Sequence, residues 1–138
     1  MGKYEILDIS GDVGLKIIGY TLEELFINAA LGLYSLITDV EGIVPTSTMD
    51  VSVEGEPVDI LLVAWLNELI YHFDVDGFIG YSVKNVKIES GRFSAQVVGE
   101  LFDERRHERR LLVKAATYHR LVLKAEGDFL VCECVLDI

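Results

Sequence analysis

Apolar side chains return along this chain in two rhythms. Leu22, Leu25, Phe26, Ala29, Leu33, Leu36 and Ile37 recur at helical spacing, as on one face of an α-helix. Thr21 precedes the run and Glu24 follows three residues later, a capping box that marks a helix start. This pattern predicts a helix from Thr21 to about Thr38-Asp39. A second run holds Val58, Leu61, Leu62, Trp65, Leu66, Leu69, Ile70 and Phe73 in one broad stripe, with Asp59, Asn67 and Glu68 off it. Pro57 opens this run, where its missing N–H is harmless. Asp74-Val75-Asp76-Gly77 closes it.

Elsewhere the period is two. Lys3 to Leu7 and Val13 to Ile18 read as strands around a turn at Ser10-Gly11-Asp12. Met49, Val51 and Val53 alternate with polar neighbours as a half-buried strand does. Tyr81 to Glu89 and Arg92 to Leu101 form a hairpin turning at Ser90-Gly91. A slip in apolar phase between Val83 and Val86 predicts a bulge near Asn85. Tyr118 to Ala125 and Phe129 to Leu136 make a further hairpin around Gly127-Asp128.

Two amphipathic helices and a set of half-covered strands are best satisfied by layers. The expected fold is an α+β two-layer sandwich. A mostly antiparallel sheet carries both helices on one face, and residues 1–138 form a single domain. Trp65 should sit at the centre of the main buttress, since burying a large apolar side chain contributes about 1.5–3 kcal/mol.

Composition narrows the setting. With 138 residues, 51% of them hydrophobic, the chain can build a real core. No apolar run reaches the roughly 18 residues of a membrane span. Asp8 and Asp12 interrupt any signal-peptide core. The expectation is a cytoplasmic protein away from the membrane. A net charge of -11 repels phosphate backbones and favours cations or basic partners. Cys132 and Cys134 lie two apart on one strand face, so they cannot bridge each other comfortably and read as small core residues.

Candidate chemistry collects at the chain's last residues, Val135-Leu136-Asp137-Ile138. An apolar strand ends in an aspartate one residue before the terminus. The side chain of Asp137 and the carboxylate of Ile138 repel unless a cation lies between them, and Mg²⁺, Ca²⁺ and Mn²⁺ prefer such oxygens. The alternative is a solvated aspartate after a final strand. Asp12 either makes an Asx-type turn or joins the same site, if the first and last strands are neighbours. No histidine or cysteine accompanies the three groups, which favours a hard cation over zinc. A shared ion requires Asp12 and Asp137 to lie within about 10 Å of one another.

Four of the twelve Lys and Arg residues fall in Asp103–Arg110: Arg105, Arg106, Arg109 and Arg110. Such a run is either a solvated loop or an anchor for an acidic partner, a nucleotide or RNA. Lys114, Thr117, Tyr118 and His119 cluster where a strand is expected to begin. Thr117 and His119 on one strand face lack a third, orienting group, so a structural histidine is the simpler reading. Asp74 and Asp76 resemble a calcium loop only superficially, because Gly77 comes too early.

The chain as a whole resembles the archease family. The resemblance rests on Asp8-Ile9-Ser10-Gly11-Asp12-Val13-Gly14, on Thr21-Leu22-Glu23-Glu24-Leu25-Phe26 with Asn28-Ala29-Ala30, and on Trp65-Leu66-Asn67-Glu68-Leu69 with Tyr71 and Phe73-Asp74. It continues through Gly99-Glu100, Phe102-Asp103, His107-Glu108, Val113-Lys114-Ala115, Thr117-Tyr118-His119 and Leu136-Asp137-Ile138. It implies a non-enzymatic cytoplasmic activator of an RtcB-type RNA ligase in tRNA splicing. Such an activator promotes the ligase's metal- and GTP-dependent guanylylation and its repeated turnover, meeting RNA only through the ligase. By the same resemblance Asp12, Asp137 and the Ile138 carboxylate hold a divalent Ca, Mg or Mn ion. The basic positions Arg105, Arg106, Arg109, Arg110 and Lys114, with His119, are the candidate partner surface. One departure stands out, since the family turn usually reads D-H-T-A-D and Ile9 replaces its histidine. A competing expectation is a chaperone-like modulator of a tRNA-modifying enzyme such as a methyltransferase.

Overall fold

A computed structural model describes residues 2–138. Among these residues the order is β1 (Tyr4–Ile9), β2 (Asp12–Gly19), α1 (Leu22–Ile37), β3 (Ser47–Glu54), α2 (Val58–Asp76), β4 (Phe78–Glu89), β5 (Arg92–Leu101), β6 (Ala115–Ala116), β7 (Val122–Glu126) and β8 (Phe129–Asp137). A single 3-10 turn, Val40–Gly42, follows α1.

The helices start and stop for identifiable reasons. Thr21 Oγ1 accepts the Glu24 N–H at 3.1 Å, satisfying one of the free donors of the first turn. At the other end α1 has no basic residue of its own. Its last carbonyls are met by a distant segment. The N–H groups of Arg110 and Leu111 donate to Ile37 and Leu36 at 2.9 Å each, and Arg110 Nη1 donates to the Ser35 carbonyl at 3.1 Å. Helix α2 runs from just after Pro57 to Gly77, whose left-handed φ of 73° lets its N–H turn back to the His72 and Phe73 carbonyls. Glycine adopts that conformation without a Cβ penalty.

The strands are antiparallel and divide into two sheets. One has the order β1-β2-β8-β6, with β7 also pairing β8; the other is β3-β5-β4. Helix α1 packs on β1, β2 and β8 and reaches β4, while α2 packs on β3, β4 and β5 and reaches β6. The expected α+β layering with helices against antiparallel strands holds. The division into two sheets is new. Alternation reports which face of a strand is buried, and it is silent on which strand lies beside it.

One hydrophobic cluster joins both sheets and both helices. At its centre Phe93 stacks on Phe26 and tilts against Trp65, with ring centroids 4.6 Å apart in each pair. Trp65 is fully buried, and its Nε1–H donates to the Phe26 carbonyl at 2.8 Å. The second helix thus binds the first through packing and a hydrogen bond at the same residue.

Several boundaries differ from expectation, β1 among them, which runs Tyr4–Ile9 rather than Lys3 to Leu7. Asp12 is the first residue of β2 rather than part of the turn, which falls on Ser10 and Gly11. Strand β4 begins at Phe78, three residues before Tyr81. The strand expected from Tyr118 is interrupted: β6 ends at Ala116, Arg120 takes a left-handed φ of 53°, and β7 begins at Val122. The bulge near Asn85 is present, with a register shift between Lys84 and Lys87 and an Asn85 φ of 54°. No described helix is long and apolar enough to cross a membrane.

Candidate functional site

The chain's last strand lies inside its sheet. β8 is flanked by β2 on one side and by β6 and β7 on the other. Its end is fixed by short bonds. The Lys114 N–H donates to the Asp137 carbonyl at 2.8 Å, and the Thr117 N–H donates to the Val135 carbonyl at 3.0 Å. Thr117 Oγ1 donates to the same carbonyl at 2.8 Å. Asn67 of α2 braces β6 from outside the sheet, donating Nδ2 to the Ala116 carbonyl at 3.0 Å and accepting the Ala116 N–H at 2.8 Å.

The ladder between β2 and β8 runs from Gly19↔Leu130 to Val13↔Leu136. The pairing stops there, with Asp12 and Asp137 the next residue on each strand; continued by one step, that register would bring them opposite each other. Residues directly opposite share a face of the sheet. The backbones of Val135 and Asp137 bond outward to the β6 segment, so Asp12 and Asp137 would fall at a non-hydrogen-bonded position. There opposite Cα atoms lie about 4.5 Å apart and side chains come closest. On the far sides Ile9 pairs with Asp12 and Ala115 with Asp137. A single rung of the sheet, so continued, reads Ile9, Asp12, Asp137, Ala115, with Ile138 one residue beyond. Asp12 is half-buried, and Asp137 and Ile138 are exposed.

The surroundings of the rung are apolar on the β1 side. A Cβ on Gly14 would stand 2.7 Å from Ile9 Cδ1 and 3.0 Å from Leu7 Cβ. Glycine there leaves the hollow that Ile9 fills beside Asp12. Neither aspartate takes part in any of the described ion pairs. Two carboxylates on one rung without a basic partner fit a hard divalent cation by the chemistry of their oxygens. Among the described residues no three His, Cys, Asp or Glu side chains gather to hold a metal. The rung contributes two, and a third protein ligand would have to be a main-chain group.

The arginine segment is a folded turn. Asp103 O accepts the N–H groups of Arg106 and His107, and Asp103 Oδ1 accepts that of Arg105 at 3.0 Å. Arg106 pairs with Glu100, Arg109 with Glu104 at 2.8 Å and Arg110 with Glu108 at 3.1 Å. Arg109 also lies over the Phe102 ring, 5.0 Å from its centroid. Arg105 is the loosest, 3.9 Å from Asp103 and 95% exposed. Lys114 and His119 are exposed. Thr117 is committed to Val135 and accepts the His119 N–H at 3.3 Å, so these two residues form a turn rather than a nucleophile and its base.

The same turn closes over a buried polar cluster centred on Glu100. Its Oε2 accepts the Val44 N–H at 2.6 Å and the His107 Nε2–H at 2.9 Å. His107 is fully buried, and its Nδ1 accepts the Asp103 N–H at 2.8 Å. That bond fixes the proton on Nε2, so the ring donates to the carboxylate. The Arg106 guanidinium, aided by Val44 and His107 and opposed by burial, holds the Glu100 carboxyl down at about 2. Sequence reasoning missed this cluster. Its signal was Glu100 at the end of a strand, followed within seven residues by Arg106 and His107. Burial pushes the thiols of Cys132 and Cys134 up to about 12 and 11, as for inert core cysteines.

Comparison with known proteins assigns the chain to a family. The chain matches the Archease protein family (MTH1598/TM1083) over residues 4–138 and belongs to it. It is 30% identical to the Protein archease of Sulfurisphaera tokodaii, each covered completely. It is 37% identical to that of Aeropyrum pernix, over 94% of this chain and 92% of the relative. Among solved structures, the solution structure of Methanobacterium thermoautotrophicum protein 1598 superimposes with a TM-score of 0.84 at 31% identity, covering both chains fully. The Thermotoga maritima archease, described as a possible chaperone, shares the fold with a TM-score of 0.69 at 23% identity, over 97% of this chain and 96% of its own.

Proposed function

We propose that this chain is a protein cofactor rather than an enzyme. It activates an RtcB-type RNA ligase in the cytoplasm by promoting metal- and GTP-dependent guanylylation and repeated turnover. The observation that carries the reading, beside family membership, is the end of the β2 and β8 ladder, with Asp12 and Asp137 one residue beyond it on each strand. These two side chains and the carboxylate of Ile138 would hold a divalent Ca, Mg or Mn ion. An ion held there would supply positive charge toward the triphosphate oxygens of the ligase's nucleotide.

The protein's own part is positional. Strands β2 and β8 hold the aspartates at the open end of a sheet, and Asn67, Lys114 and Thr117 fix the end of β8. The exposed Arg105, Lys114 and His119 supply partner contacts on the same reading. Arg106, Arg109 and Arg110 spend part of their capacity on Glu100, Glu104 and Glu108. RNA is met only through the ligase, because the net charge of -11 opposes direct binding.

The test compares ligase guanylylation with wild type, Asp12→Asn, Asp137→Asn and a short extension after Ile138. Each change should abolish stimulation while preserving the fold. Full turnover with all three would favour the second reading, a chaperone for a tRNA-modifying enzyme such as a methyltransferase. The description of the Thermotoga protein as a possible chaperone speaks for that alternative.

A further inference from the structure

Strand β1 is the outer strand of its sheet. The Ile18 N–H donates to the Lys3 carbonyl at 3.0 Å, which makes Lys3 and Ile18 a hydrogen-bonded pair. Alternation along the register then turns the backbone groups of Glu5, Leu7 and Ile9 toward β2. The N–H and C=O groups of Tyr4, Ile6 and Asp8 point the other way, to the open edge.

Edge strands are usually blunted by charged side chains, lysine above all, by proline or by a bulge. Strand β1, Tyr-Glu-Ile-Leu-Asp-Ile, has no proline or bulge; Lys3 lies just before it, and its own charges, Glu5 and Asp8, are acidic, which discourages a like-charged strand and admits a basic one. Its register with β2 is unbroken. Strand β4, an edge of the other sheet, carries Lys84, Lys87 and two register shifts. Ile6 shares a face with Tyr4, which packs on the core, yet Ile6 is 53% exposed. It lies at the margin of a covered face, beside the open edge of the sheet.

We propose that the β1 edge receives an extended, basic segment of a partner protein as an added strand. Charge selects this occupant. Glu5 and Asp8 are both exposed on β1, and the chain's net charge of -11 opposes a second copy of itself. The segment it fits carries two Lys or Arg residues three apart, opposite Glu5 and Asp8, with apolar residues between them to cover Ile6 and Leu7. Main-chain bonds supply affinity and the side chains supply selection, as in other strand additions. The edge ends at Ile9, on the rung of Asp12 and Asp137, so the added strand would run up to the carboxylates. The proposal does not depend on a cation there, and peptide binding by Asp12→Asn tests the two separately.

The probe is an end-blocked peptide, Thr-Lys-Val-Val-Lys-Thr, titrated into the isotope-labelled full chain and followed by amide chemical shifts and hydrogen exchange. Shifts and new protection should centre on Tyr4, Ile6 and Asp8, and a peptide with both lysines changed to glutamate should not bind. Ile6→Pro deletes an outward N–H that β2 does not use, and should weaken binding by roughly three- to tenfold or more. Should that variant fail to fold, Glu5→Lys with Asp8→Lys carries the test by reversing the preference between the two peptides. Shifts that map elsewhere, equal affinity for both peptides, or an unreversed preference in the lysine variant would overturn the proposal. So would a wild-type dimer in sedimentation that Ile6→Pro dissolves, since the occupant would then be a second copy.

Discussion

Asp12 and Asp137 flank the last ladder pair of β2 and β8, Val13↔Leu136, one residue beyond it on each strand. They start one strand and end the other, so the chain between them closes on one end of the ladder. On the proposed reading, a cation between them relieves the repulsion of the two carboxylates. Calcium or manganese at about 100 times its dissociation constant should therefore stabilise the protein by roughly 2.7 kcal/mol, read as a rise in melting temperature that chelation reverses. Asp12→Asn should weaken metal binding at least about tenfold, a size that even outer-shell changes reach. In chelator the same variant should melt no lower than wild type. Titration calorimetry with equal metal affinity for wild type and Asp12→Asn would remove Asp12 from the site.

Trp65 unites the two helices, packing on Phe93 and donating to the Phe26 carbonyl. Trp65→Ala should cost about 3–5 kcal/mol, the range for large aromatic deletions in a core. In a domain of this size that is a fall in melting temperature on the order of 10–20 °C. A drop of only a degree or two would mean that the surrounding rings repack without it.

The Glu100 cluster gives a pH dependence with a definite sign. Its carboxyl titrates at about 2 in the folded protein and near 4.3 in an unfolded chain. A depressed folded value stabilises above the unfolded one, and the contribution is lost as pH falls from about 4.3 toward 2. Glu100→Gln should start less stable at neutral pH, because Arg106 and His107 lose their charged acceptor, and should lose less on acidification. Parallel stability curves for the two proteins between pH 5 and 2 would show that Glu100 is not the responsible group.

Much of this was legible in the sequence because it is local. The capping box at Thr21, the stripe around Trp65, the stop at Gly77 and the bulge at Asn85 each follow from residues within a few positions of one another. Asp12 and Asp137 were legible as candidates through their residue types. Their meeting at the end of one ladder was not, because strand alternation is the same whichever strand lies beside. Glu100, Val44 and His107 come together only when the loop after β5 folds back on the strand's end. The arginine run looked like free charge for the same reason, since its carboxylate partners and its role at the end of α1 are visible only in three dimensions.

The arginine segment can be tested at two single residues. Arg110 closes the end of α1 through its backbone N–H to Ile37 and its side chain to the Ser35 carbonyl. Arg110→Ala should therefore lower stability by about 1 kcal/mol, the usual worth of a net hydrogen bond, whether or not a partner is present. Arg105 makes only a loose 3.9 Å pair with Asp103, and exposed pairs of that kind contribute little. Arg105→Glu should leave the melting temperature nearly unchanged. If the segment meets the ligase, the same variant should weaken the complex and make its affinity less sensitive to salt, because an exposed interfacial charge acts over screened distances. Binding measured across a salt series decides the matter. Identical curves for wild type and Arg105→Glu would return the segment to a purely architectural part, closing α1 and covering Glu100.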